Sequence, residues 1–344
     1  MTDCTSLAPP PALTRAGLRR LWLAAAVLGL AALCAAALRL GVRPVGWSAV
    51  WTALTAFDAG NADHIVVRHM RLPRLGGALL AGAALGLAGA LMQGLTRNPL
   101  ADPGLLGING GAALGVALCV LVLGITDPAE FVWMALGGAL ASSVLVFLLG
   151  GGSRAGTLRL VLAGAAVSAL FLALTRGLLL VSRQTLEVYR FWVLGGFDGI
   201  VPATLAALAP FLAAGAGLAA LAAPGLNALL LGEDSATGLG VRTGLARLAA
   251  GAAIVLLCGA SVAMAGPIAF AGLIVPHLAR WTAGPDMRRV MLFSAVFGAQ
   301  LLTAAELLGR LPLFGGTMQA GVMTALIGGP VLIWLVRRNG VRSL

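Results

Sequence analysis

Arg71 and Arg74 open an apolar run, residues 71–111, that reads RLPRLGGALLAGAALGLAGALMQGLTRNPLADPGLLGINGG. Guanidiniums at the end of such a run suit interfacial anchoring, with the charged heads reaching back to water. Glu306 is the only acid in its own apolar run, and Arg310, four residues on, shares its helical face. That spacing predicts a local ion pair. His277 lies in GPIAFAGLIVPHLAR, residues 266–280, far from His64 and His69 and without a carboxylate motif beside it. It suits a structural hydrogen bond rather than a metal site. Covalent chemistry has no evident starting point, because the chain carries no HExxH and no nucleophile–base constellation. All 23 basic residues are Arg. A Walker A loop needs Lys to reach the β/γ-phosphates, so any ATP that drives this protein is bound by another polypeptide. No catalytic, cofactor or metal residues are expected, and Cys4, Cys34, Cys119 and Cys258 are scattered without ligand spacing.

The elements that must position these groups are membrane helices. The 344 residues are 60% hydrophobic and 10% charged, with a mean hydropathy of +0.99, whereas soluble domains carry about 25% charged residues. Apolar runs of about 20 residues match the length that crosses a bilayer as a helix, and the alternating ten-residue segments of a β-barrel are absent. Spans are expected at 21–38, 72–95, 104–124, 129–149, 158–181, 200–222, 244–265, 268–281, 290–309 and 318–336. Residues 1–20 and 339–344 would be tails around one transmembrane unit, 21–338. The run Leu21–Leu38 is long for a signal-peptide core. The formal charge of +11 fits arginines held at the cytoplasmic face rather than nucleic acid. Both termini inside would place 14 arginines on the cytoplasmic side, Arg154 and Arg342 among them, and nine opposite.

Gly82, Gly86, Gly89 and Gln93 are spaced 4, 3 and 4 apart and share one helical face, where small residues admit a neighbouring backbone. Asn98-Pro99 should end that helix, since the residue before Pro is pushed out of helical geometry. Asp102 with Pro103 then reads as an N-cap and first helical position. Asn227–Arg242 reads NALLLGEDSATGLGVR. Gly232 and Gly240 would bracket a two-turn helix, with Glu233 and Asp234 at its positive dipole end. Leu231, Ala236 and Leu239 are apolar although they lie in a loop. Gly266, Pro267, Gly272 and Pro276 suit a short irregular span buried inside a bundle.

These segments strongly resemble the FecCD-type permeases of iron-siderophore, haem and cobalamin ABC importers, and the resemblance covers nearly the whole chain. It implies an all-α polytopic membrane protein of the type II importer fold, in the bacterial inner membrane. Implied partners are a cytoplasmic ATPase dimer, a periplasmic substrate-binding protein, a second permease subunit, lipid and a ferric-siderophore cargo. Arg71, Arg74 and Arg310 would receive acids of the binding protein in exposed pairs. Leu231, Gly232, Glu233, Asp234, Ala236, Leu239 and Gly240 would form the helix that couples to the ATPase. Gly82, Gly86, Gly89, Gln93, Asn98, Pro99, Gly266, Pro267 and Pro276 would serve helix packing and gating. ALGLAGALMQGLTRNPLADPGLLG and GPIAFAGLIVPHLARW look closest to ferric-enterobactin-type permeases, which points to a catecholate, with haem or cobalamin as alternatives. Thr317-Met-Gln-Ala-Gly321 departs from the family pattern by lacking an acid. The rival reading is an ion-coupled secondary transporter using Glu306; the island at 227–242 argues against it, because such a transporter needs no ATPase dock.

Overall fold

The computed structural model describes residues 15–151, 157–312 and 317–339, and every regular element among them is helical. Cys4, Arg154, Arg342 and most of the two expected tails lie outside the described residues. The helices are α1 (Arg15–Arg39), α2 (Trp47–Thr55), α3 (Ala62–Ile65), α4 (Leu72–Thr96), α5 (Ile108–Leu118), α6 (Pro128–Gly150) and α7 (Thr157–Val181). They continue as α8 (Arg183–Trp192), α9 (Pro202–Leu230), α10 (Glu233–Gly238), α11 (Thr243–Ala265), α12 (Ala271–Ala283), α13 (Met287–Gly309) and α14 (Ala320–Asn339). A π turn, Val66–Arg71, joins α3 to α4 without a break. Seven helices among the described residues are long and apolar enough to cross a membrane. The shorter apolar helices Ile108–Leu123 and Ala320–Trp334, with the thirteen-residue α12, bring the fold to about ten membrane helices.

Burial divides this bundle into a centre and a periphery. The most apolar windows of α4, α11 and α13 are 72%, 67% and 61% buried, against 11% for α1 and 17% for α7. Leu158, Leu162, Leu170, Leu174 and Leu180 of α7 are exposed, as they can be where the solvent is hydrocarbon. α4 packs chiefly on α13 and α11, and its glycines set the distance. A Cβ at Gly82 would overlap the Gly298 carbonyl, one at Gly86 the Ser294 carbonyl, and one at Gly89 the Gly272 carbonyl. Gly111 and Gly138 make the same backbone approach between α5 and α6.

Several boundaries depart from expectation for local reasons. Asp102 does cap, accepting from the Gly104 N–H at 2.8 Å, but what it caps is a 3₁₀ turn, Pro103–Leu106. The membrane helix restarts only at Ile108, after Gly107 takes a φ of +77°. α9 runs on to Leu230, so Asn227 is helical rather than the start of a loop, and Pro210 and Pro224 are accommodated within it. α1 begins at Arg15, inside the segment expected as tail. α2 and α8 were not anticipated, since helices of nine and ten residues are too short to register as apolar spans. α2 exposes Trp47 and Trp51, as suits a helix lying at the membrane interface.

Gly86→Leu forces a side chain into the Ser294 carbonyl, and overpacking of this kind costs about 1–3 kcal/mol or more. Thermal unfolding of detergent-purified protein should show a large fall in midpoint or no folded protein. Gly137→Ala, whose added Cβ meets nothing within 4 Å, should leave the midpoint unchanged.

Candidate functional site

The charged residues gather at the two ends of the bundle. At the first end, α1 finishes where α4 begins, and its last carbonyls need donors. Arg71 supplies them, donating to the Leu38 and Arg39 carbonyls at 2.7 Å each and also to the Arg43 carbonyl. Its side chain is only 4% exposed. Arg310 follows the end of α13 and donates to the Ala37 carbonyl at 3.1 Å; it too is buried. These two arginines therefore cap α1, and the expectation of solvent-exposed pairs does not hold for them. The reason is physical: the end of a membrane helix leaves carbonyls that lipid cannot satisfy.

Arg74 differs. Its Nη2 lies 2.5 Å from Asp198 Oδ1, and its Nη1 lies 3.8 Å from Glu306 Oε1. Glu306 also sits 3.4 Å from Arg310 Nε, the i,i+4 pair anticipated from spacing. At these distances Glu306 makes charge contacts rather than hydrogen bonds. Asp198 is 52% exposed and Glu306 only 7%, so Arg74 is held by a buried acid on one side and a solvent-facing acid on the other.

Asp198 was missed by sequence reasoning, although it is the only acid between Glu187 and Glu233. Its loop is stitched in place by backbone bonds from Gly196 N to Ala265 O at 2.7 Å and from Gly321 N to Gly195 O at 2.8 Å. Gly266, at a φ of +72°, has no room for a Cβ against the Trp192 carbonyl. Pro267 follows in the extended stretch that leads to α12. A cavity of about 280 Å³ beside this loop is lined by Phe131, Phe191, Trp192, Asp198, Met264 and Gln319. Gln319 belongs to the Thr317–Gly321 run that lacks the acid.

At the opposite end, α10 is a two-turn helix between Gly232 (φ +117°) and Gly240 (φ +75°). Ala236 is fully buried and anchors it. Glu233 Oε2 ties it to α11 through Arg247 Nη2 at 3.0 Å, while Asp234 lies exposed in the same first turn. Leu231 and Leu239 stand 70% and 67% exposed on either side. Asn227 reaches from α9 to the start of α13, where its Oδ1 accepts from Met287 N at 2.8 Å. Asp286 caps α13 by accepting from Arg289 N.

The packing glycines lead to this same end. α4 stops at Thr96, with Arg97 in the left-handed region (φ 52°), and Asn98 Oδ1 accepts from Leu100 N across Pro99. Gln93 is fully buried. It donates to the Leu273 carbonyl at 2.9 Å and accepts from Arg280. Pro276, within α12, leaves the Gly272 carbonyl without its helical donor, and this is the carbonyl that Gly89 packs against. His277 stacks edge-on against Trp281. In the connection after α4, burial pushes the Asp102 carboxyl above the usual carboxylate range, opposed by its bond from Gly104 N–H.

Residues 29–338 match the FecCD transport family. The chain is 43% identical over 308 residues to the ferric enterobactin transport system permease protein FepD of Escherichia coli (strain K12), covering 89% of this chain and 91% of that one. It is 36% identical over 325 residues to the hemin transport system permease protein HmuU of Yersinia pestis, covering 93% and 96%. Among solved structures, an inward-facing metal-chelate type ABC transporter superposes with a TM-score of 0.81 at 27% identity, covering 93% of this chain and 99% of that one. The helical arrangement is accordingly the type II ABC importer permease fold. The chain belongs to the FecCD transport family and is a membrane permease of an ABC importer.

Proposed function

We propose that this chain is the inner-membrane permease subunit that passes a ferric siderophore of catecholate type from a periplasmic binding protein to the cytoplasm. A separate ATPase dimer hydrolyses ATP, and a second permease subunit completes the pathway. The observation that carries this reading is α10: a short helix anchored by Ala236 and Glu233, flanked by two largely exposed leucines, at the end away from the arginine cluster. Exposed apolar groups outside a span are costly in water, about 1.5–3 kcal/mol for each large side chain that a partner could cover. An ATPase groove is the partner that this geometry fits. α1 ends and α14 starts at the arginine end, which favours both termini on the α10 side, the cytoplasm. The catecholate assignment rests on the identity to FepD.

At the outer mouth, Arg74 is the docking group in this reading. Arg71 and Arg310 act through position, holding α1 and the mouth in shape. Gly82, Gly86, Gly89 and Gln93 keep α4 against α12 and α13, and Asn98-Pro99, Gly266-Pro267 and Pro276 mark the breaks about which the bundle rocks.

Leu231→Ser with Leu239→Ser should leave folding intact but abolish uptake and the rise in ATP hydrolysis caused by loaded binding protein. An unchanged response in reconstituted transporter removes the coupling role. Arg74→Ala should weaken binding-protein affinity about two- to fivefold, the worth of an exposed pair, in protein that still folds because Glu306 keeps Arg310 beside it. Arg71→Ala should instead lower the midpoint, because the Leu38 carbonyl at the end of α1 and the Arg43 carbonyl in the following loop lose their Arg71 donor, at about 1–3 kcal/mol per orphaned group, while the Arg39 carbonyl keeps Val45 N–H. Uptake in a deletion strain, with ferric catecholate, ferric hydroxamate, haem and cobalamin offered in turn, tests the cargo. Restoration of catecholate uptake by this chain, lost when the partner ATPase is inactivated, is the expected result. Restoration of haem or cobalamin uptake alone would overturn the cargo assignment, and uptake independent of the ATPase would favour an ion-coupled carrier.

A further inference from the structure

The guanidinium of Arg74 is not free. Glu306 approaches it from the buried side and Asp198 from the solvent side, at 3.8 and 2.5 Å. Glu306 is shared with Arg310 and enclosed, so it orients Arg74 without competing at the surface. Asp198 is half exposed and sits in a loop whose flanking Gly195 and Gly199 take φ of +70° and +73°. An acid arriving from solvent meets Asp198 before it reaches Arg74. Neighbouring arginines at this end are occupied in similar fashion: Arg43 pairs with Asp63 at 3.1 Å, Arg39 lies over Trp47, and Arg68 over Phe57.

We propose that Asp198 is an intrachain competitor for the docking arginine, capping Arg74 when the mouth is empty and displaced by a carboxylate of the seated binding protein. The proposal rests on the docking reading of Arg74 given above. Displacement costs the incoming acid the energy of the pair it breaks, so a single poorly placed carboxylate gains nothing. A rigidly positioned one does, because its binding lobe holds it there. Asp198 thereby sets both the affinity of docking and its selectivity for a partner with the right acid in the right place.

The test uses the full permease assembled with its ATPase in nanodiscs and the transporter's own binding protein as the immobilised probe. The variants are Asp198→Asn, Asp198→Ser, Arg74→Ala and the Arg74→Ala/Asp198→Asn double variant. Glu187→Gln, an exposed acid on α8, is the charge-matched control, and thermal midpoints verify folding. Either Asp198 substitution should lower Kd about two- to fivefold, the range of an exposed ion pair. The gain should vanish in the Arg74→Ala background, and Glu187→Gln should be neutral. An unchanged or raised Kd overturns the proposal, as does tightening that persists without Arg74 or is matched by Glu187→Gln, since either of those is a general field effect. In those cases docking at Arg74 still stands if Arg74→Ala alone weakens binding. If Arg74→Ala leaves Kd unchanged, the docking reading falls and this proposal falls with it.

Discussion

Inside a bilayer an apolar side chain gains little by exchanging lipid for protein, so a helix is held at the bundle centre by close backbone packing and by polar groups satisfied between helices. α4 meets that condition with Gly82, Gly86 and Gly89, each placed where a Cβ would overlap a carbonyl of α12 or α13. Gln93, fully buried one turn further on, adds a hydrogen bond to α12. Much else follows from this contact. α13 is fixed by it, and with α13 come Glu306 and Arg310 at one end and the Asp286 cap at the other. α12 can be short and broken by Pro276 because α4 and α13 enclose it.

The same two helices give the ends of the molecule a common frame. Arg71 and Arg74 stand at the beginning of α4 and Gln93 near its close. Asp286 begins α13, where Asn227 binds it to the helix that leads into α10, and Arg310 follows its last residue. A rigid pair packed backbone to backbone connects the arginine end and α10 more directly than a chain of flexible side chains would. Asn98-Pro99 and Gly266-Pro267 interrupt the chain after α4 and after α11.

Arginine roles divide by solvent. Arg71 and Arg310 resemble surface docking groups in sequence, but the unsatisfied carbonyls at the end of α1 claim them. Arg74, one turn along from Arg71, escapes that claim and keeps a partly exposed head. Nothing in the residue types distinguishes the three. The distinction comes from α1, whose end lies about thirty positions away in sequence from Arg71 and more than 260 from Arg310.

Local chemistry was enough for part of this protein. Apolar runs long enough to cross a bilayer, the small-residue face of α4, the proline breaks, the glycines around α10 and the Glu306–Arg310 spacing are all features of neighbouring residues, and they were legible as such. Short helices such as α2 and α8 were not, because nine or ten residues are too few to stand out beside a span. The partners of Arg71, the Arg74–Asp198 pair, the Gln93–Arg280 bond and the Asn227–Asp286 link join residues from 28 to 187 positions apart. No periodicity encodes such pairs. They exist because the glycine face of α4 allows the helices to close, and the tertiary structure alone decides which distant polar groups then meet.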